Sequence, residues 1–347
     1  MIKFEKRIRA FAQLGELFSG DNVSHDTDNG HFDESINIAS SKNPWFTEEN
    51  IRFSVHALGK SLSEENLRRW IRPYMGQLVK GPPAKTVGVV MAGNIPLVGF
   101  HDFLCVLMAG HKIRAKLSSD DSVLLPAIAG LLIEIEPAFE DYIEFVEDRL
   151  FGFDAIIATG SGNTSRYFDY YFGKYPNIIR KNRSGVAVLT GNESLEELKA
   201  LGQDIFMYFG LGCRSISKVF VPEGYLFDGF FDAIADFEKI RNHNKYFNNY
   251  EYYRSIYLIN KVEHFDNGFL MVKNDTAYSS PPSVLYSETY FNLDELQKKL
   301  SSDSGQIQCI VGDVNKVKDA IPFGRGQYPE LWDYADGVDT MAFLNGL

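Results

Sequence analysis

Cys213 stands in the stretch FGLGCRSISKVFV, after an apolar segment and before a β-branched run, with Gly210 and Gly212 just ahead of it. Glycines there permit positive φ and let the backbone approach a ligand closely. A thiol on such a turn is reachable, and as a thiolate it is a nucleophile. Cys105 and Cys309 sit instead inside apolar runs, FLCVLM and IQCIV, as small core residues do. A second candidate is Asn94, in Gly93-Asn94-Ile95-Pro96. Turn chemistry alone accounts for that string, but an amide held there could donate to a developing oxyanion, a contribution of about 3 kcal/mol. Two further strings are Lys116-Leu117-Ser118-Ser119 and Thr159-Gly160-Ser161-Gly162. Backbone amides and hydroxyls at a helix N-terminus favour phosphate, and Lys116 could reach ribose or phosphate oxygens. An ordinary serine or threonine cap explains the same residues. There is no Gly-x-Gly-x-x-Gly string, so an ordinary Rossmann dehydrogenase is not supported.

These strings need elements to hold them. Residues 86–91 (TVGVVM), 111–117 (HKIRAKL) and 155–158 (AIIA) read as strands, and 95–109, 122–134 and 163–172 as helices. The alternation predicts βαβ units and a parallel sheet covered on both faces. Ligands on such sheets sit beyond the carboxyl ends of the strands, which places 92–96, 116–119 and 159–161 on one rim. A second series follows: a strand at 186–189, a helix opened by the capping box Ser194–Glu197 and running to about Phe209, a strand at 217–221, a helix at 227–238 and a strand at 307–311. The first 80 residues read as an irregular or helical lead-in, with a loop over 21–37, capping-box spacing at Ser61–Glu64, and Gly81-Pro82-Pro83 as punctuation. The fold class is therefore α/β, with two domains built on parallel-rich sheets.

Composition narrows the function. The 347 residues suggest about two domains. With 35 Lys+Arg against 46 Asp+Glu the net charge is −11, and the pI is near 5.2. That balance argues against a nucleic-acid surface, which needs a basic footprint. Three scattered cysteines with no Cys-x-x-Cys pair give neither a disulfide scaffold nor a zinc site. Charges interrupt the N-terminal apolar residues, and the longest apolar stretch, 124–135, is broken by Pro126 and Glu134. Neither a signal peptide nor a membrane span is expected, so the expected compartment is the cytoplasm, with reduced thiols. Asp333, Asp336 and Asp339 invite a metal reading, but no His or Cys joins them; an ion-pair network with Arg325 is the plainer expectation.

The order of the four chemical strings is more specific than any one of them. Strand–GNIP–helix, strand–KLSS–helix, strand–TGSG–helix and helix–GLGC–strand resemble the aldehyde dehydrogenase superfamily, with its Asn-x-Pro turn, Lys-Pro-Ser-Glu-like strand end, Thr-Gly-Ser turn and Gly-Gln-x-Cys nucleophile. Within it the sequence looks most like the acyl-CoA reductase family related to the fatty-acid reductase of bacterial bioluminescence, a view strengthened by the C-terminal FGRGQYPELWDYADGVDTMAFL. The resemblance covers about residues 80–345. It implies a Rossmann-like cofactor domain with its lead-in over 1–185, a catalytic cysteine domain over 186–320, and a C-terminal segment, 321–347, packing back on the cofactor domain.

The resemblance also implies roles. Cys213 matches the nucleophile, its backbone N–H one oxyanion donor, and Asn94 the side-chain donor. Lys116 matches the lysine that holds the adenosine ribose, with Ser118 and Ser119 beside it. Thr159, Gly160 and Ser161 match the turn at the cofactor pyrophosphate. Two departures stand out. Where hydrolytic members read Glu-Leu-Gly-Gly-Lys, this chain has Arg180-Lys181-Asn182-Arg183-Ser184-Gly185, without the water-activating glutamate. Where NAD-preferring members place Glu, it has Ser119, which leaves room for a 2′-phosphate and favours NADPH over NADH. The motif gripping the nicotinamide ribose has no clear equivalent; Ser279–Ser283 (SSPPS) lies where it is expected.

The implied activity is NADPH-dependent reduction of an acyl-CoA to an aldehyde through a thioacyl-cysteine. Alternatives are NAD(P)-dependent oxidation of a free aldehyde and a catalytically idle protein that keeps the fold. Coenzyme A is polyanionic, so an acidic chain needs a local basic patch. Arg180 and Lys181 open the densest cationic run, which reads equally as a solvated strand edge. His243, in RNHNKYFNNY, is a candidate thiol base or acyl-CoA contact, with a solvated polar loop as the plainer reading. His101 and His111 read as packing or capping residues. The partners implied are acyl-CoA and either a homo-oligomeric copy or an enzyme supplying acyl groups, with no nucleic acid and no membrane span.

Overall fold

The computed structural model describes residues 2–19, 30–79, 83–160 and 162–347. The chain divides into two units, Met1–Lys181 with Glu330–Leu347, and Asn182–Pro329. In the first unit, Phe4, Ile8, Phe11, Leu14 and Phe18 recur at helical spacing, and helix α1 (Phe4–Ser19) buries that stripe. Helices α2 (Gly30–Lys42), α3 (Glu48–Ser61), α4 (Glu64–Ile71) and α5 (Met75–Leu78) complete the lead-in. The expected loop over 21–37 is corrected for 30–37: Phe32, Ile36 and Ala39 bury one face of α2 despite their polar neighbours. Residues 21–29 lie outside the described residues, as do Gly81 and Pro82. The cap at 61–64 is shifted. Ser61 closes α3, donating Oγ to Leu58 O at 2.8 Å, and Ser63 is the N-cap of α4.

Sheet A is built from β1 (Thr86–Val90), α6 (Phe100–Ala109), β2 (Lys112–Lys116), α7 (Leu124–Ile135), β3 (Ile143–Phe145), β4 (Ala155–Thr159), α8 (Gly162–Phe172) and β5 (Asn177–Arg180). All its strands are parallel, in the order β3-β2-β1-β4-β5. Val87, Val89 and the whole of 155–158 are buried, as continuous apolar strands covered on both faces require. The chain steps outward from β1 to β2 and β3, then places β4 on the other side of β1. The strand order therefore reverses between β1 and β4. Helix α6, expected from residue 95, begins at Phe100, because Leu97 has φ 60 and residues 96–99 form a turn. Residues 330–347 return to this unit, where a helix over Thr340–Asn345 packs on α6. His101 Nε2 donates to Leu331 O and His111 Nε2 to Leu344 O, each at 2.9 Å. Both histidines pack, and burial pulls both below the usual imidazole range.

The second unit holds β6 (Ser184–Val188), α9 (Leu195–Phe206), β7 (Ile216–Pro222), α10 (Asp228–Ala233), α11 (Asn244–Ile259), β8 (Phe265–Asp266), β9 (Met271–Asn274), β10 (Val284–Tyr290), α12 (Leu293–Ser302), β11 (Ile307–Gly312) and β12 (Ala320–Ile321). Sheet B runs β12-β11-β6-β7-β10-β9-β8, parallel except for the antiparallel β8–β9 pair. The capping box at Ser194 and Glu197 forms as expected. Its helix stops at Phe206 rather than Phe209, and the helix over 227–238 is split into α10 and a 3-10 segment, Ala235–Asn242. Helix α11 carries a run rich in tyrosine and asparagine, with Tyr246, Tyr250 and Tyr257 turned into the core. Lys218 on β7 is fully buried. Its Nζ pairs with Glu288 on β10 and donates to Asp275 O and Thr276 O, so all three donors are used and its role is structural. The whole is an α/β fold of two parallel-rich sheets. Among the described residues no helix is long and apolar enough to cross a membrane.

Candidate active site

Three of the strings lie at the carboxyl ends of adjacent parallel strands. Gly93–Leu97 follows β1, Lys116–Ser119 ends β2, and Thr159–Gly160 ends β4. They flank the point where the strand order of sheet A reverses, the position at which α/β sheets bind ligands. The first two strings touch. A Cβ on Gly93 would stand 2.6 Å from Ser118 Oγ, so only glycine fits there. Ser118 Oγ itself accepts from Asp120 N, capping the turn that follows β2. Ser119 is exposed. Lys116 Nζ donates to the carbonyls of Glu147 and Asp148. Thr159 is half-buried, and Gly160 packs against Thr164 and Phe168 of α8. Ser161 lies outside the described residues.

Asn94 is exposed at the tip of its turn. The turn is held from behind: Asp121 Oδ2 accepts from Leu97 N at 2.8 Å, and Ser54 Oγ donates to Pro96 O at 3.1 Å. Burial pushes the Asp121 carboxyl up to about 6, against the Leu97 N–H that favours its ionised form.

Cys213 is exposed in a turn closed by Ser215 N donating to Gly212 O at 3.0 Å. This turn precedes β7, so it lies at the amino edge of sheet B. The chain reaches it through three left-handed residues, Tyr208 (φ 52), Phe209 (φ 58) and Gly210 (φ 76). For Tyr and Phe such a conformation costs roughly 1–2 kcal/mol each. Packing offsets this: Tyr208 is buried, and Phe209 stacks on His243 at 4.1 Å between ring centroids. His243 is the N-cap of α11, its Nδ1 accepting from Tyr246 N at 3.3 Å. The solvated-loop expectation for His243 is thus corrected to a cap stacked on the segment that leads to Cys213.

Three other segments seat the cysteine turn. Gly185, at the start of β6, comes so close that a Cβ would lie 2.6 Å from Arg214 O. Cys309, half-buried on β11, offers its Sγ to the same carbonyl at 3.7 Å. Arg214 Nε donates to Gly326 O at 2.6 Å, which directs that side chain to the 324–327 loop. Gln327 Nε2 donates to Ser215 Oγ at 3.3 Å. The loop is in turn fixed by Asp204 of α9, whose two oxygens accept from Gly324 N (2.6 Å) and Gly326 N (2.8 Å). Burial pushes the Asp204 carboxyl up to about 6, while those two N–H groups and Arg214 pull the other way. Cys105 is buried, and burial raises its thiol well above the ordinary range.

The cationic run is not one surface. Arg180 ends β5 with its side chain buried, paired with Asp102 of α6 and donating to Thr340 Oγ1 at 3.0 Å. An arginine so engaged ties the C-terminal segment to sheet A; this corrects its reading as a substrate contact. Lys181 is exposed, and Arg183 donates to Ser304 O at 3.1 Å. In the acidic cluster, Asp339 caps the closing helix and accepts from Tyr74 Oη, and Asp333 accepts from Glu330 N. Arg325 sits over the Tyr328 ring. In SSPPS, Ser280 Oγ donates to Val284 O and Ser283 takes φ 67.

Asp121, Gly185, Asp204 and Gly326 escaped the sequence reading. Signals existed for two of them. Asp204 interrupts the apolar stripe Leu198, Leu201, Ile205, and Gly324-Arg325-Gly326 places two glycines where backbone must come close.

No protein-family model matches the sequence, and a search of curated proteins finds no match. Solved structures do. Aldehyde dehydrogenase 21 of Physcomitrella patens, in complex with succinate, superposes with a TM-score of 0.66 at 13% identity, over 98% of this chain and 79% of that one. A putative aldehyde dehydrogenase of Burkholderia cenocepacia gives 0.60 at 15%, over 85% and 71%. An NADP-dependent enzyme of E. coli gives 0.64 at 10%, over 91% and 75%. The chain has the aldehyde dehydrogenase fold.

Proposed function

We propose that this protein is an acyl-CoA reductase that forms an aldehyde through a thioacyl intermediate on Cys213. The observation that carries the reading is the setting of Cys213. It is an exposed thiol on a turn seated by Gly185, the end of a stretch, Arg180–Gly185, that contains no acid. Hydrolysis of a thioacyl-enzyme needs a base to activate water, whereas reduction is protected by its absence.

In this reading the Cys213 thiolate attacks the thioester carbonyl. The Cys213 N–H stabilises the oxyanion, a role the resemblance gives to the Asn94 amide as well. The bond to the coenzyme A sulfur breaks, and coenzyme A leaves as a thiolate that takes up a proton. NADPH, when bound, supplies the hydride that reduces the thioester carbon. The thiohemiacetal then releases aldehyde, and the bond to Cys213 breaks to return the thiol. The first unit is read as the cofactor domain. Its fit to a dinucleotide rests on the reversal point between β1 and β4 and on the β2 end, where two of the three Lys116 donors are spent on carbonyls and one remains for a ribose or phosphate oxygen. Ser119, exposed and uncharged, leaves a 2′-phosphate unopposed. Lys181 and His243 are retained as candidate acyl-CoA contacts.

A second reading, NAD(P)-dependent oxidation of a free aldehyde, is favoured by the names of the structural neighbours. Incubation with NADPH and a panel of acyl-CoAs, with the aldehyde trapped as a hydrazone, tests the first. Aldehyde oxidation that proceeds without added coenzyme A, and no aldehyde formed from any acyl-CoA, would establish the second.

A further inference from the structure

The Cys213 turn is held, through the 324–327 loop, by a buried carboxylate. Asp204 is 1% exposed, on the buried face of α9. Its two carboxylate oxygens take one backbone N–H each from Gly324 and Gly326. Only glycine fits at 326, since a Cβ there would stand 2.8 Å from Asp204 Oδ1. The loop so fixed grips the cysteine turn twice, through Gly326 O to Arg214 and through Gln327 to Ser215, the residues next to Cys213 on its carboxyl side. We infer that Asp204 is a positioning residue for Cys213: through the 324–327 loop it fixes the backbone of the 212–215 turn, so that the Cys213 N–H stays aimed at the carbonyl its thiol attacks. This inference rests on the acyl-transfer role proposed for Cys213.

The expected signature separates aim from reactivity. Alkylation by iodoacetamide needs an exposed thiol that can ionise, but no oxyanion donor. Acylation needs the thiol and an aligned oxyanion donor. Asp204→Asn keeps the size of the side chain but turns an NH2 group toward one of the two loop N–H groups, so one tie is lost. The measurement is the rate of Cys213 acylation by the acyl-CoA that acylates wild type fastest in a panel of short- to long-chain acyl-CoAs, against its rate of alkylation by iodoacetamide, both read by peptide mass spectrometry. Asp204→Asn is expected to lower acylation about tenfold or more while alkylation stays within about twofold of wild type. Gln327→Ala, which removes the outer tie and leaves Asp204 in place, is expected to show the same split at about threefold, and it decides the matter if Asp204→Asn does not fold by circular dichroism. Folded variants that acylate at the wild-type rate, or lose acylation and alkylation in parallel, overturn the inference. Wild-type protein that is alkylated at Cys213 but acylated by no member of a panel of short- to long-chain acyl-CoAs overturns the proposed function and this inference with it.

Discussion

The carboxyl edge of sheet A and the amino edge of sheet B carry candidate site residues by different means. At the first, the residues follow their strands directly, and topology does most of the placing: β2, β1 and β4 are adjacent and parallel, so their outgoing turns share one edge. Short-range devices finish it, such as the Ser118 cap and the Asp121 bond to Leu97. At the second, Cys213 precedes its strand, where no general rule places ligands. Its turn is held by partners far away in sequence: Gly185 of β6, Cys309 of β11, and a loop fixed by Asp204. An edge that binds can be supplied by strand order alone. A turn proposed to present one thiol and one N–H in register is held by contacts converging from several elements.

This contrast predicts different kinetic phenotypes. The largest effect is at the amino edge of sheet B. Cys213→Ala should lower the rate of aldehyde formation from acyl-CoA by about 10^4-fold or more, since the proposed nucleophile is gone, with NADPH affinity by fluorescence titration unchanged. Aldehyde formation within tenfold of wild type would remove Cys213 from the chemistry. Asn94 tests the contrast from the other side, because it sits on the carboxyl edge of sheet A yet is assigned to the transition state. Asn94→Ala should cost about 10^2- to 10^3-fold in kcat with little change in KM. An effect on KM alone would make that edge purely a binding edge.

Lys116→Ala should be milder. It removes one charge-assisted contact and should weaken NADPH binding about tenfold, or roughly 1.4 kcal/mol, leaving kcat nearly intact. Ser119→Glu sharpens the same point. A carboxylate there accepts ribose hydroxyls but repels a 2′-phosphate, so NADH should overtake NADPH as the better substrate. Ser119→Glu protein that keeps its preference for NADPH would show that the dinucleotide lies elsewhere.

How legible was this in the sequence? Three of the five strands of sheet A were, β1, β2 and β4, because runs such as TVGVV and AIIAT are short, apolar and bounded by turn residues; β3 and β5, of 3 and 4 residues, are too short for such a run and went unread. Cys213 stood out because glycines mark its turn, whereas Asn94 was singled out only by the order of the four strings, since its own turn reads as ordinary turn chemistry. What failed were features whose cause is tertiary. Helix α2 looked like a loop because its polar residues outnumber its three buried apolar ones. Arg180 looked like a surface cation because nothing local announces Asp102, 78 residues earlier in the chain. Helix α6 starts late because a left-handed Leu97 and the Asp121 carboxylate shape the turn before it, and neither is visible in a propensity. The clamps on Cys213 share that origin, since each joins residues that only the folded sheet brings together.

The smallest expected effect concerns the two buried aspartates, one behind each edge. Both carboxyls are raised to about 6 by burial, above the ordinary aspartate value that the unfolded chain retains. A group whose folded-state value lies higher binds more protons folded than unfolded between the two values. Its contribution to stability therefore grows as pH falls from 7 toward 4, and is lost again as pH rises through about 6. Between pH 7 and pH 5 the gain should be about 1 kcal/mol for each aspartate. The carboxylates that run the other way, such as Asp275 and Asp303, held low by hydrogen bonds and by Lys273 and Lys299, lose their stabilisation only at lower pH. Urea unfolding at pH 7 and pH 5 reads the difference. Asp121→Asn and Asp204→Asn should each flatten the wild-type rise by about 1 kcal/mol, and they should part at pH 7. Asp121 takes one backbone N–H, and its Oδ1 is buried without a partner, so an amide there spends one oxygen on Leu97 N and relieves a buried charge. Asp204 takes two backbone N–H groups, and its amide must oppose one of them, at about 1–3 kcal/mol. Asp204→Asn less stable than Asp121→Asn at pH 7 keeps the contrast between the edges. The reverse order would mean that the turn at the carboxyl edge of sheet A depends more on its single carboxylate bond than the cysteine turn does on its clamped loop.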